Sequence, residues 1–155
     1  MGRLRAELRQ PRPLQAASHE AVVALLRTTD EIRRRLGAVV EPHGLTMQQY
    51  NVLRILRGGG PDGVPTLDVA ARMIEQTPGI TRLLDRLEAK GFVRRQRCEH
   101  DRRQHLCWIT ARGLAVLDRL DAPMLAAADA AMKPIGRQDR TTLIRVLDAI
   151  REGGA

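Results

Sequence analysis

The sequence has very few aromatic residues. Its 155 residues include one Trp, one Tyr and one Phe, so a core has to be built from aliphatic side chains. Cores rich in Leu and Ala suit packed helices, whereas aromatic and β-branched residues favour sheets. A chain of this length corresponds to one domain, or to one domain with helical extensions. The composition therefore favours a mainly α-helical fold.

Long apolar runs and a cysteine framework are also missing. No run of about 18 apolar residues is present, which excludes a transmembrane helix. The first residues carry charges without the apolar stretch of a secretory signal. The two cysteines, Cys98 and Cys107, do not form a disulfide framework. We therefore expect a cytoplasmic protein with free thiols and no membrane partner.

The sequence contains no recognisable catalytic motif. There is no pair of placed carboxylates and no combination of nucleophile and base. The glycines 58–60 are followed by Pro61, whereas a phosphate-binding loop continues with Gly-Lys-Ser or Gly-Lys-Thr. We therefore expect a protein that is not an enzyme and that holds no cofactor.

Arginine is the residue that the sequence has in excess. The formal net charge is +8, and Lys90 and Lys133 are the only lysines. Such a surplus favours polyanionic partners, and a guanidinium can donate two parallel hydrogen bonds to phosphate or guanine. A GC-rich genome also encodes arginine often, so the position of each arginine matters more than the number.

Apolar residues recur at steps of three and four, which predicts six helices separated by glycine and proline. The predicted spans are about 18–40, 46–58, 67–73, 78–90, 110–132 and 138–151. Pro123 lies inside the fifth span and predicts a kink or a break there. Pro11 and Pro13 argue against a continuous helix in residues 1–17, which we expect to form a basic arm.

Several helix starts carry capping residues. Ser18, Thr66 and Thr110 are predicted N-caps, and Thr46 with Gln49 predicts a capping box. The pair Thr77-Pro78 predicts a cap followed by proline at the first helical position. In the short third helix, the predicted inward residues are Leu67, Ala70 and Ala71.

A basic run from Phe92 to Arg103 follows the fourth helix. The run has a β-prone start and a polar tip, and a second β-prone segment, Leu106–Thr110, follows; together they predict a hairpin. Two helices joined by a tight turn form a helix-turn-helix, whose second helix enters the DNA major groove. The hairpin behind it completes a winged helix over 46–110 and offers a cationic arm to the minor groove.

The remaining helices have apolar faces that a small winged-helix core cannot cover. A second copy of the chain would bury them, so 18–41 and 111–151 are predicted to be dimerisation helices within a single domain, 18–155. The predicted fold is mainly α with a small β-hairpin wing. A two-fold homodimer would read double-stranded DNA at a pseudo-palindromic site.

Three stretches together resemble the MarR/SlyA family of bacterial transcription regulators. They are Ile74–Gly91, Asp101-Arg102-Arg103 and Ile109–Gly113. The resemblance implies a homodimeric winged-helix regulator. It also implies that a small phenolic or other aromatic ligand binds between the dimer and DNA-binding regions.

The resemblance also assigns residues to roles. Those expected to contact DNA from the recognition helix are Gln76, Thr77, Pro78, Thr81, Arg82 and Arg86. In the wing, Asp101 is expected to brace the tip, and Arg102 or Arg103 to enter the minor groove. The ligand-pocket candidates are Met47, Tyr50 and Arg54, although Met47 and Tyr50 also suit a core position.

The wing contains residues that bind zinc in other proteins. Cys98, His100, His105 and Cys107 could share one ion only if the strand register placed them on one face. The register expected from the resemblance pairs Val93 with Ile109 and splits the four residues between faces. We therefore expect no metal site, and two thiols without a redox role.

The sequence thus predicts a repressor that occupies a promoter as a homodimer. The alternative is a winged-helix scaffold for protein interactions that binds no specific DNA.

Overall fold

The computed structural model describes residues 3–9, 16–76, 78–98 and 105–153. The chain divides into two compact units, residues 1–35 and 36–155, which are described separately. The helices and strands are α1 (Arg3–Glu7), α2 (Ala17–Val40), α3 (Met47–Arg57), β1 (Val64–Pro65), α4 (Thr66–Ala71), α5 (Ile80–Ala89), β2 (Val93–Arg97), β3 (His105–Ile109), α6 (Ala111–Met132) and α7 (Arg137–Glu152). None of the helices in the described ranges is long and apolar enough to cross a membrane.

The first unit contains α1 and most of α2. The short helix α1 was not predicted, and it ends before Pro11 and Pro13, which lie outside the described residues. The prediction of Ser18 as N-cap is wrong. The Glu20 N–H donates to the Ala16 carbonyl at 3.0 Å, so the helix begins at Ala17 and Ser18 lies within its first turn.

The second unit contains two confirmed capping motifs. Thr46 Oγ1 accepts from the Gln49 N–H at 3.2 Å, and Gln49 Oε1 accepts from the Thr46 N–H at 3.1 Å. Thr110 Oγ1 accepts from the Gly113 N–H at 3.1 Å and caps α6. Each bond satisfies a backbone donor that a helix start leaves unpaired, and these two helices begin where the sequence predicts.

Helix α4 differs from the prediction in its cap and in its buried face. The Thr66 hydroxyl donates to the His105 carbonyl of β3 at 3.1 Å, so Thr66 does not cap the helix and Pro65 holds the N-cap position. Val69 and Met73 are buried, whereas Leu67 is 72% exposed. Ala71 is exposed and Ala70 half-buried. The bond to β3 fixes the rotation of a helix too short to set it alone.

The recognition helix α5 starts later than predicted. Pro78 and Gly79 form a turn and the helix begins at Ile80, with no side-chain cap at Gly79. Thr77 lies outside the described residues. The apolar residues at helical spacing form the inner face of α5: Leu83, Leu84 and Leu87 are buried and Ile80 is half-buried. Gly91 ends the segment with a φ of 73°, a left-handed conformation that favours glycine.

The wing is a three-stranded antiparallel sheet in the order β1-β3-β2. The predicted pairing of Val93 with Ile109 is confirmed. The short strand β1, which pairs Val64 with Cys107, was not predicted. Helix α6 continues through Pro123 without a break. The chain thus has the predicted mainly α-helical winged-helix fold.

The core of the second unit is aliphatic. Its largest fully buried side chains are Leu53, Leu84, Leu87, Leu117 and Leu120. They come from α3, α5 and α6, so the recognition helix packs directly on the helices around it. Arg57 of α3 also donates to both Asp121 carboxylate oxygens of α6, at 2.8 and 3.0 Å. The buried leucines position α5 against α3, and the Arg57–Asp121 pair joins α3 to α6.

Candidate nucleic-acid interface

The recognition segment, residues 76–90, comprises helix α5 and the turn before it, and one of its faces is polar and exposed. The predicted DNA-contacting residues on this face are Gln76, Pro78, Thr81, Arg82 and Arg86, and all five are exposed. Arg82 and Arg86 form no hydrogen bond or ion pair with any residue that the structure describes. Their guanidinium groups can therefore turn toward a phosphate or a base edge without breaking a bond.

Side chains of α3 hold the turn before α5. Asn51 Oδ1 accepts from the Ile74 N–H at 2.9 Å, and Gln48 Nε2 donates to Glu75 Oε2 at 3.2 Å. Because Ile74 and Glu75 directly precede the recognition segment, these bonds fix where it starts. Sequence reasoning missed both roles, since the partners lie more than 20 positions apart in the chain.

Lys90 holds the other end of the recognition helix. Its Nζ donates to the Gly44 carbonyl at 2.6 Å and to Gln49 Oε1 at 3.2 Å. Gln49 is only 2% exposed and also takes part in the cap of α3. A single amide thus joins the start of α3 to the end of α5.

Arg95 of β2 connects the wing to the recognition helix. Its Nη2 donates to Asp85 Oδ1 at 2.5 Å and its Nε donates to Glu88 Oε2 at 3.1 Å. Burial lowers the pKa of Arg95, but the hydrogen bonds to Glu88 and Asp85 outweigh burial, so the pKa lies above its ordinary value. The sequence prediction omitted Arg95, although strand alternation from buried Val93 places it on the inward face.

The base of the wing is fixed by an aromatic contact. The Arg94 guanidinium lies 4.2 Å from the centroid of the Trp108 ring. Trp108 Nε1 donates to the Pro61 carbonyl at 2.8 Å. The tip that follows, with Asp101, Arg102 and Arg103, lies outside the described residues, so the roles expected for these three stay predictions.

The three predicted ligand residues line one cleft of about 350 Å³. Met47, Tyr50 and Arg54 share it with Asn51, Ile55 and Ile74. The Arg54 guanidinium lies 6.0 Å from the Tyr50 ring centroid. Tyr50 is only 5% exposed, so it also serves the core, as the alternative interpretation held. The cleft combines aliphatic side chains with the Arg54 guanidinium, which suits a small molecule with an apolar body and one negative charge.

The two cysteines of the wing lie in different environments. Cys107 is fully buried on the inner face of β3, and Cys98 follows the end of β2. Within the described ranges, no three His, Cys, Asp or Glu side chains are grouped to hold a metal ion. Burial raises the pKa of the Cys107 thiol, while its hydrogen bond with Thr66 lowers it in part.

The two thiols should therefore differ in reactivity. The folded protein treated with iodoacetamide at mildly alkaline pH should be alkylated at Cys98, because its side chain is partly exposed to the reagent. Cys107 should stay unmodified until the chain is unfolded, since it is buried and its pKa is raised. Peptide mass spectrometry before and after denaturation checks this. Equal modification of both thiols in the folded protein would contradict the placement of Cys107.

Known proteins share both the sequence and the fold. Residues 43–104 match the sequence model of the MarR family. The chain is 32% identical to a MarR transcription factor from Planctomyces limnophilus, whose crystal structure superposes with a TM-score of 0.69 over 88% of this chain and 99% of that one. It is 30% identical over 97 residues to the homoprotocatechuate degradative operon repressor of Escherichia coli, a match covering 63% of this chain and 64% of the relative.

A third relative was solved with a ligand. It is CouR from Rhodococcus jostii RHA1 bound to p-coumaroyl-CoA, which is 28% identical, with a TM-score of 0.74 over 88% of this chain and 95% of that one. The similarity to the Planctomyces limnophilus protein extends over nearly the whole length of that protein, so it includes the helices outside the winged helix as well. The sequence stretches, the winged-helix fold and these similarities agree: the chain belongs to the MarR family of transcriptional regulators.

Proposed function

We propose that this regulator is a repressor that binds a pseudo-palindromic site in double-stranded DNA as a homodimer. The observation that carries the proposal is the exposed face of α5, where Arg82 and Arg86 have no partner among the described residues. On a chain with a net charge of +8, this face suits the major groove, where arginine reads guanine. Gln76, Thr77, Pro78 and Thr81 would flank these contacts.

A homodimer is supported by apolar side chains that the single chain leaves exposed. In the second unit they include Leu125 at 65%, Ile144 at 62% and Ile150 at 57%. In the first unit, Leu26 is 65% exposed. Helix α7 has no buried residue of its own. Helices with unburied apolar faces are typical of a two-fold interface, and the two recognition helices would then reach successive major grooves.

Repression and ligand control are proposed by analogy with relatives. The Escherichia coli relative is named a repressor, and CouR was solved with p-coumaroyl-CoA. In this chain, the cleft beside Met47, Tyr50 and Arg54 offers an aliphatic surface and a cation to an aromatic acid. Binding there would act on Ile74, a wall residue that directly precedes the recognition segment. No enzymatic activity is proposed.

Selection of bound fragments from genomic DNA is the experiment that tests the proposal. The purified chain should enrich one pseudo-palindromic sequence, and light scattering should give the mass of a dimer. Affinity should fall by about 10³ to 10⁵ between about 50 and 200 mM salt if six to ten phosphates are contacted. Enrichment of no sequence, with a normal dimer mass, would instead favour the scaffold for protein interactions.

A further inference from the structure

Arg95 lies between the two acidic side chains of the recognition helix. Its Nη2 contacts Asp85 Oδ1 at 2.5 Å and Glu88 Oε2 at 2.6 Å, and its backbone N–H donates to Glu88 Oε1 at 3.2 Å. The Arg95 side chain is only 18% exposed, whereas Asp85 is 54% exposed and Glu88 is 41% exposed. One largely buried cation thus engages both carboxylates of α5.

Carboxylates on a DNA-binding helix repel phosphate and so oppose binding. Asp85 and Glu88 are three residues apart on one helix face, so they repel each other and any nearby phosphate. Asp85 also lies three residues after Arg82, which is the spacing of an i,i+3 ion pair within a helix. In the structure, Asp85 pairs with Arg95 instead, and Arg82 has no partner in the described part of the chain.

We propose that Arg95 is a positioning residue for DNA recognition, which holds Asp85 away from Arg82 and so keeps the Arg82 guanidinium available to the DNA. The inference rests on the proposed function, because it assigns Arg82 to the DNA. Glu88 has no cation three or four positions away on α5, so its role is to orient Arg95. Asp85 is the residue through which loss of Arg95 acts.

The competing explanation is that Arg95 only fastens the wing to the helix. Removing Arg95 weakens DNA binding under both explanations, so Arg95→Met alone does not separate them. The second substitution Asp85→Asn does. An amide of the same shape does not form an ion pair with Arg82, but it leaves the connection between wing and helix broken. Loss of a carboxylate near phosphate raises affinity under both explanations, and the single Asp85→Asn variant measures that gain. Recovery in the double variant that exceeds this gain is specific to the proposed role.

The experiment compares wild type, Arg95→Met, Asp85→Asn and Arg95→Met/Asp85→Asn on a selected DNA fragment and on a duplex of unrelated sequence. We expect Arg95→Met to lose about tenfold in affinity for the selected fragment, as for one lost guanidinium contact. The double variant should return close to wild type. Arg95→Lys should fall between, since one ammonium replaces a fork that contacts two carboxylates.

A measurement without DNA separates this inference from the proposed function. In NMR spectra of the arginine Nε–Hε groups, the Arg82 signal should shift and exchange more slowly in Arg95→Met, because Asp85 becomes its partner. The signal should return to its wild-type position in the double variant. If wild type binds no DNA, the proposed function fails, and these spectra still decide which partner Asp85 selects.

Three results would overturn the role of Arg95. The first is an Arg95→Met variant that binds the selected fragment as tightly as wild type. The second is a double variant that binds as weakly as Arg95→Met, which leaves only the structural connection. The third is an Arg82 signal that does not change when Arg95 is removed.

Discussion

Arg82→Ala should reduce discrimination at one base pair of each half-site by about 1–3 kcal/mol. The Arg82 guanidinium is exposed on α5 and has no partner among the described residues, so its removal costs the folded chain little. A bidentate contact to guanine depends on base identity, and its loss relaxes the sequence preference at that position. Competition binding with fragments altered one base pair at a time measures the effect.

Two further variants give the controls for Arg82→Ala. Arg86→Ala, expected to lose a phosphate contact, should weaken all sequences equally and reduce the salt dependence. Arg119→Ala removes the same charge from exposed helix α6 and should leave the sequence preference unchanged. An unchanged preference with Arg82→Ala itself would show that α5 is not the reading helix in the assigned orientation.

Gly113→Ala should destabilise the fold by about 2 kcal/mol or more, although alanine is the better helix former. A Cβ at Gly113 would lie 2.5 Å from the Phe92 carbonyl oxygen and 2.7 Å from Ile109 Cγ1. The Phe92 oxygen cannot move away freely, because it accepts from the Thr110 N–H at 3.0 Å. The overlap with backbone therefore outweighs the gain in helix propensity, which is about 0.5–1 kcal/mol.

Thermal unfolding at fixed protein concentration measures this effect. A loss of about 2 kcal/mol corresponds to a fall in Tm of about 4–8 °C for a chain of this size. Gly37→Ala in α2 is the matched control, since a Cβ there would lie 3.8 Å from Glu41 Oε1, an ordinary contact. It should be neutral or stabilising by up to about 1 kcal/mol. A Gly113→Ala variant as stable as Gly37→Ala would contradict the packing of α6 on the wing.

Local signals in the sequence predicted the position of most helices. The capping box of Thr46 and Gln49 and the Thr110 cap both depend on residues within a few positions of each other. The stripe of Leu83, Leu84 and Leu87 follows from helical periodicity alone. The hairpin register was implied by the family resemblance, which pairs Val93 with Ile109, and did not follow from local signals.

The errors at Thr66 and Pro78 occurred where a distant contact overrides a local preference. Thr66 has a favourable residue type for an N-cap, but its hydroxyl bonds to β3, 39 positions away. In the same segment Leu67 is exposed, whereas Val69 and Met73 are buried. Pro78 is compatible with a helix start, yet α5 begins at Ile80. The turn before it is held by a hydrogen bond from the Ile74 N–H to Asn51 of α3.

The sequence by itself determined the winged helix, its recognition segment and the surplus of arginine. Helical periodicity and capping depend on residues close together in the chain, and net charge depends on composition alone. Only the tertiary structure decided which arginines are available. Arg82, Arg86 and Arg95 have the same chemistry. Arg95 in the wing pairs with Asp85 and Glu88 of α5, whereas Arg82 and Arg86 are exposed. Alternation along a strand indicates which face a side chain occupies, whereas its partner depends on the element packed against that face.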